Sequence, residues 1–208
     1  MDIALKTTAG TPVGALGTRE GAAFTQQYGT SFAELVRRGN VYACANQSGV
    51  TSQAGLSGTT PVLALYNPAN SGIEVELLYA GAIVTVAFAT AGFVGLGLHQ
   101  TTAAAKAVSA VGTVSTNTRN LYSTTSTQGG VAQACLAGTA TAPILIDILG
   151  SGLTGAITTV PFIQTLERWY NGSIVLQPDT AVSIQTGVAS GASGLFCCYI
   201  WNERRLSS

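Results

Sequence analysis

Charge is what this sequence has least of. Lysine, arginine, aspartate and glutamate together make up 9% of its 208 residues, where about 25% is ordinary for a soluble domain. Nine basic and nine acidic residues cancel. The only basic pairs are Arg37-Arg38 and Arg204-Arg205, so the chain lacks the basic stripe that nucleic-acid binding uses, and no nucleic-acid partner is expected. Apolar residues reach 47%, and disorder, which goes with low hydrophobicity and high net charge, is excluded. The surface must therefore be a neutral one rich in hydroxyls and amides, or be covered by other chains.

Histidine is nearly missing too. His99 stands alone, so any Ser-His-Asp triad would have to use it. It closes an apolar run and is expected at the surface, at a strand end. No GxSxG elbow accompanies it. Four cysteines (Cys44, Cys135, Cys197, Cys198) show no CxxC spacing, and with one histidine they form no zinc signature. They read as small buried hydrophobes, with the adjacent Cys197 and Cys198 on opposite faces of a strand. No glycine cluster precedes Lys-Ser or Lys-Thr, and Gly92, Gly95 and Gly97 lack the dinucleotide spacing. No cofactor, metal or small-molecule substrate is expected. The N-terminus has no basic region followed by an apolar core, so synthesis in a cytoplasm is expected, and the sequons at Asn46 and Asn171 carry no weight.

Residues 77–98 hold no charge in 22 positions, long enough to cross a membrane as a helix. They read as strands instead. Ile73-Glu74-Val75-Glu76-Leu77 alternates with a period of two and runs into Ile83-Val84-Thr85-Val86-Ala87-Phe88, which is β-branched and aromatic. No Lys or Arg flanks the block closely. Turns are expected at Ala80-Gly81 and Ala91-Gly92, and no membrane partner is expected.

Residues 1–27 show scattered hydrophobes (Leu5, Val13, Leu16, Phe24) without a lasting period, as in an extended arm that orders against a neighbouring subunit. Residues 31–39 carry a short helix: Ser31 and Glu34 form a capping box, and Gly39-Asn40 closes it. Strands follow from Val41 onward, over 41–45, 62–66, 73–79, 82–90, 93–100, 108–115, 144–149, 174–177, 181–185 and 195–201. Residues 102–107 suit a short Ala-rich helix, and 123–130 a polar loop. Asn67 to Gly72 is a strong turn. Gln177-Pro178-Asp179-Thr180 fits a type I turn joining Ile174–Leu176 to Val182–Ile184 as a hairpin. The whole is all-β: an extended arm over 1–27, then one jelly-roll-like β-sandwich over 28–208 with one short helix.

Four acids invite a catalytic reading. Glu74 and Glu76 share a strand face and suit a solvated edge. Asp147 interrupts Ile144–Leu149, where period two places it beside Leu145 and Leu149, as a satisfied structural acid. A hydrolase would use Asp147 or Glu167. Aromatics gather late in the chain: Trp169, Tyr170, Phe196, Tyr199 and Trp201. Exposed, they would suit an interface or carbohydrate stacking.

Two passages carry a resemblance. Leu65-Tyr66-Asn67-Pro68-Ala69-Asn70-Ser71-Gly72 leads into an alternating strand. Gly172 to Pro178, then Val182-Ser183-Ile184, ends in Tyr199-Ile200-Trp201-Asn202-Glu203. Together they resemble tailed-phage virion structural proteins of the jelly-roll decoration, or cement, type, in which an Asn-Pro-x-x-Ser-Gly turn opens the sandwich and a terminal Trp-x-Glu closes it. Asp179 stands where that pattern has Gly. The resemblance covers about a third of the chain. It implies a non-enzymatic homotrimer on the virion surface, partnered by itself and by the major capsid protein. The alternative is a tail or fibre module binding a host glycan. Interface residues expected on this reading are Leu5, Val13, Leu16 and Phe24 in the arm, with Trp169, Tyr170, Trp201, Arg204 and Arg205 in the sandwich.

Overall fold

The computed structural model describes residues 31–51, 55–56, 63–86, 88, 90, 92–99, 108–110, 113–114, 117–122, 130–136, 139–140, 143–152, 164–190 and 192–206, with the backbone of 5–6, 12–13, 16–17 and 23–24. Two compact units divide the chain, residues 1–34 and 35–208. In the first, β1 (Leu5–Lys6) pairs antiparallel with β2 (Pro12–Val13), and β3 (Leu16–Gly17) with β4 (Ala23–Phe24). The side chains of Leu5, Val13, Leu16 and Phe24 lie outside the described residues, as do the expected helix at 102–107 and most of the expected loop at 123–130.

Helix α1 (Ser31–Arg37) stops where expected: Gly39 takes φ +75°, open to glycine without strain, and its N–H donates to Val36 O at 2.9 Å. The strands that follow are β5 (Val41–Ala45), β6 (Ala64–Asn67), β7 (Ile73–Val84), β8 (Gly92–His99), β9 (Val108–Ala110), β10 (Thr113–Val114), β11 (Arg119–Asn120), β12 (Gln133–Leu136), β13 (Thr139–Ala140), β14 (Ile144–Gly152), β15 (Gln164–Leu176), β16 (Thr180–Thr186) and β17 (Leu195–Arg205). They form two main antiparallel sheets, β11-β5-β17-β7-β15 and β10-β12-β6-β16-β8-β14. Within these, β5-β17-β7-β15 faces β6-β16-β8-β14, which is the eight-strand jelly-roll order of two interleaved Greek keys. The segment between β8 and β14 adds β11 to one sheet and β10 and β12 to the other.

One core fills the space between the sheets. Val75, Leu77, Leu195, Tyr199 and Trp201 from the first sheet meet Leu65, Val94, Leu96, Val182 and Ile184 from the second, all buried. Period two explains the sorting: on β17, Leu195, Cys197, Tyr199 and Trp201 point inward, while Phe196, Cys198 and Ile200 alternate outward. Among the described residues no helix is long and apolar enough to cross a membrane. Of the uncharged stretch, residues 77–84 belong to β7 and 92–98 to β8.

Four local expectations are corrected. Ala80-Gly81 is no turn; β7 runs through it unbroken, with Gly81 lying under Tyr79, whose Oη would be 2.5 Å from an added Cβ. The stretch 108–115 holds two short strands, β9 and β10, in different sheets. Ile174–Leu176 and Val182–Ile184 are no hairpin: β15 pairs with β7 and β16 with β6 and β8, so the turn at 177–180 carries the chain from one sheet to the other. That turn is type II, because Asp179 at its third position has φ +66° while Thr180 N donates to Gln177 O at 3.2 Å. Asp tolerates this better than most residues, and its Oδ1 accepts from Tyr66 Oη at 3.0 Å.

Candidate functional site

The expected site residues separate on the folded chain. Trp201, expected at an interface, is 0% exposed; its phase on β17 turns it into the core, where it stacks on Tyr42 with centroids 6.0 Å apart. Its indole N–H donates to Glu203 Oε1 at 3.1 Å. Arg204 and Arg205 are exposed at the end of β17. Arg204 pairs with Glu74, which also accepts from Gln177, and lies 3.6 Å from Glu76. Gln177 first and Arg204 second hold the Glu74 carboxyl below its ordinary range. His99, expected at the surface, is fully buried, its Nε2 hydrogen-bonded to Ser183 Oγ at 2.6 Å, which also accepts from Gln185 Nε2 at 2.5 Å. This Ser-His contact is enclosed: neither side chain reaches solvent.

Trp169 and Tyr170 come together at one edge of the sandwich. β15 is the last strand of its sheet, and β14 the last of the other. The register of β15 on β7 jumps from Trp169↔Tyr79 to Ile174↔Leu77, and Asn171 and Gly172 absorb the bulge at φ +51° and +82°. The bulge lets Tyr170 turn across to β14. Its hydroxyl donates to Asp147 Oδ2 at 2.6 Å, while Arg168 sits 2.9 Å from Asp147 Oδ1, which also accepts from the Ile148 N–H at 2.8 Å. Burial, then the Asp147 contact, push the Tyr170 hydroxyl's pKa well up. Asp147 is thus a satisfied acid tying the sheets together. A β-bulge between Leu145 and Asp147 sets Leu145 opposite Gly97 and Asp147 opposite Leu96, yet exposure still alternates along β14, so Asp147 lies on the less exposed face with Leu145 and Leu149, where period two placed it. Asp147→Asn keeps one acceptor oxygen and loses the charge; it is expected to cost on the order of 1 kcal/mol in urea unfolding.

The same edge is apolar outside. Ile144, Ile146 and Ile148 on β14 are exposed, Ile144 by 62%. On β15, Trp169 is 51% exposed and leans on Tyr79, with ring centroids 4.9 Å apart at 57°. Tyr79 Oη donates to Glu167 Oε2 at 2.8 Å. Beyond Tyr79, an apolar groove of about 270 Å³ crosses the outer face of the first sheet, over Gly81, Cys198 and Ala45 to Ile83 and Phe196. Burial raises the pKa of the Cys197 and Cys198 thiols that line this groove, and on β12 of the other sheet that of Cys135 to about 11, which disfavours the reactive thiolate.

Another apolar edge lies at the opposite side of the first sheet, past β11. Leu121, Tyr122 and Val131 are exposed there, Tyr122 by 60%. Leu121 N donates to Val41 O at 2.9 Å. Val131 and Ala132 are held by their N–H groups, at 2.9 and 3.0 Å, to the buried Glu203 carboxylate. Arg37, Arg38 and Arg119 are exposed on this side, and Asn120 Nδ2 joins β11 to Gly39 O at 2.5 Å. Sequence reasoning missed both apolar rows. β14 is apolar on both faces, a signal of double burial, and nothing in the sequence marks it as an edge. Tyr122 borders a polar stretch and carries no pattern.

Among the described residues no group of three or more His, Cys, Asp or Glu could hold a metal ion. No protein family matches the sequence, and neither the curated proteins nor the solved structures yield a match.

Proposed function

We propose that this chain is a non-enzymatic structural module of a phage virion, a homotrimeric decoration or cement protein that binds the major capsid protein on the outside of the head. The observation that carries the reading is the pair of apolar edges on a jelly-roll sandwich whose sequence is only 9% charged. Exposed apolar rows on strand edges are a liability in a monomer and an asset in an assembly. Depleted charge is also the compositional mark of interface cores. Jelly rolls serve capsids and lectins alike, so fold by analogy supports the reading without deciding it. Of the motifs that resemble virion proteins, Asn67 sits at a corner of the sandwich and Trp201-Asn202-Glu203 lies within β17, where such motifs would be structural.

Light scattering on a sizing column tests it. A mass near three times 21.1 kDa is expected, with co-sedimentation on purified capsids lacking the protein as the second step. A single-chain mass at every concentration would overturn the preformed trimer.

A second reading is favoured by Trp169. Its exposed ring beside the Glu167 carboxylate and the Tyr79 hydroxyl is the combination that stacks and hydrogen-bonds a sugar. Trp201 is the other of only two tryptophans and is fully buried, so fluorescence quenching by a glycan panel reports Trp169. On the decoration reading no glycan quenches it; saturable quenching by one glycan would make the host-binding reading the better one.

A further inference from the structure

The two apolar edges differ in every respect that would let either pair with itself. On the first, Leu121, Tyr122 and Val131 sit among exposed Arg37, Arg38 and Arg119. On the second, Ile144, Ile146 and Ile148 line β14, whose Asp147 pairs with Arg168 of β15, the strand that also carries exposed Glu167. They lie at opposite ends of the sandwich, past β11 of the first sheet and on β14 of the second, the latter beside β15. Four strand spacings separate β11 from β15, about 19 Å. Resting on the oligomeric reading above, we infer that the first edge of one copy docks on the second edge of the next, head to tail, and that the chain of contacts closes into a ring.

Three observations favour this over a two-fold pair. Charge is complementary between the edges and alike within the first: self-pairing would set the arginines of one copy against those of the other, whereas head-to-tail contact sets them near Glu167. Backbone pairing of β14 with a second β14 meets two bulges, between Leu145 and Asp147 and between Ile148 and Gly150, and an inward-pointing acid. These are the devices that keep edge strands from zipping together. The contact is therefore made by side chains. Size is adequate as well: β14 has nine residues, so an edge about 30 Å long on a sandwich about 20 Å thick with its side chains presents on the order of 600 Å², close to the area each partner of a stable interface buries. A surface patch meeting a different patch builds a ring or a fibre, and a fixed small copy number requires the ring.

The test uses the full chain with one edge spoiled at a time, Tyr122→Asp on the first and Ile148→Asp on the second, both at exposed positions. Far-UV circular dichroism checks folding, with Tyr122→Ser and Ile148→Lys as replacements if either fails to fold. Light scattering is expected to give a concentration-independent mass near three times 21.1 kDa for the parent protein and one chain for each variant. An equimolar mixture of the two is expected to double the single-chain mass, because the intact first edge of Ile148→Asp meets the intact second edge of Tyr122→Asp. If only one variant dissociates, that edge pairs with itself and the head-to-tail arrangement is overturned, as it is if both keep the parent mass. A parent mass that climbs with concentration overturns the closed ring. In these three cases the oligomeric reading stands; a parent that is always a single chain overturns that reading as well.

Discussion

Replacing Glu203 by alanine is expected to remove about 3–5 kcal/mol of stability, measured as the shift in urea unfolding at fixed protein concentration. The size follows from what the carboxylate does. It is buried on β17 and accepts three hydrogen bonds: from Val131 N and Ala132 N at 2.9 and 3.0 Å, and from the Trp201 indole at 3.1 Å. Removing it takes the acceptor from three donors, two of which, the Ala132 N–H and the Trp201 indole, are buried. Glu203→Gln is expected to cost less, about 1–2 kcal/mol. Its amide oxygen can keep Ala132 and Trp201, and only Val131 N then faces an NH₂ group. Gly130→Ala tests the same clamp from the other side, since a Cβ there would collide with the Glu203 carboxylate. It should destabilise the parent protein and be tolerated in Glu203→Ala, a non-additivity of 1 kcal/mol or more by the usual scale for residues in contact. A loss below about 1 kcal/mol for Glu203→Ala would mean that the segment before β12 is not held by this carboxylate.

Glu203 also shows how far the sequence could be read. Its motif, Trp-x-Glu near the end of the chain, could be seen as a closing element, because residues two apart on a strand share a face. Which face could not be seen. Both rows of β17 are apolar, with Leu195, Cys197, Tyr199 and Trp201 in one and Phe196, Cys198 and Ile200 in the other, so alternation alone leaves the phase open. Trp201 was therefore read as an interface residue and is core. The bounds of β5 and the turn before β7 were legible because their signals are local: a β-branched and aromatic run, and Asn-Pro-x-x-Ser-Gly. Sheet partnership is not local. Turn chemistry at 177–180 says that the chain reverses, and it cannot say that the strands on either side belong to opposite sheets. The Asp147 network was half legible: the acid stood out against its apolar neighbours, but its partner Tyr170 reaches it only through the bulge at Asn171-Gly172. The two edges were invisible, because being an edge is a property of the assembled sheet.

Asn67 gives the sharpest contrast between two nearly identical side chains. It is fully buried at the end of β6, and its Nδ2 donates to Ile73 O at 2.9 Å and to Leu176 O at 3.0 Å. One amide thus ties the corner of the second sheet to the first residue of β7 and the last residue of β15. Its Oδ1 has no hydrogen-bond partner among the described residues. Asn67→Ala should cost about 2–4 kcal/mol, for two carbonyls left unpaired and a small void. Asn67→Asp should cost more at neutral pH, about 4 kcal/mol or above, although it changes almost no volume. A carboxylate there sets oxygen against two carbonyl oxygens, with no donor to offset the buried charge. The pH dependence has a definite sign. Burial raises the folded-state pKa of that aspartate above the unfolded value of about 3.9. The charge penalty is then absent below the unfolded pKa, where both states are protonated, grows as the pH rises, and is complete above the folded pKa. A protonated carboxyl can also donate one of the two lost bonds. The deficit of Asn67→Asp relative to the parent protein at the same pH should therefore shrink on going from pH 7 to pH 4, whereas that of Asn67→Ala should not move. If both variants lose the same amount at every pH, the site is open to water, and Asn67 does not close this corner of the sandwich as its two hydrogen bonds indicate.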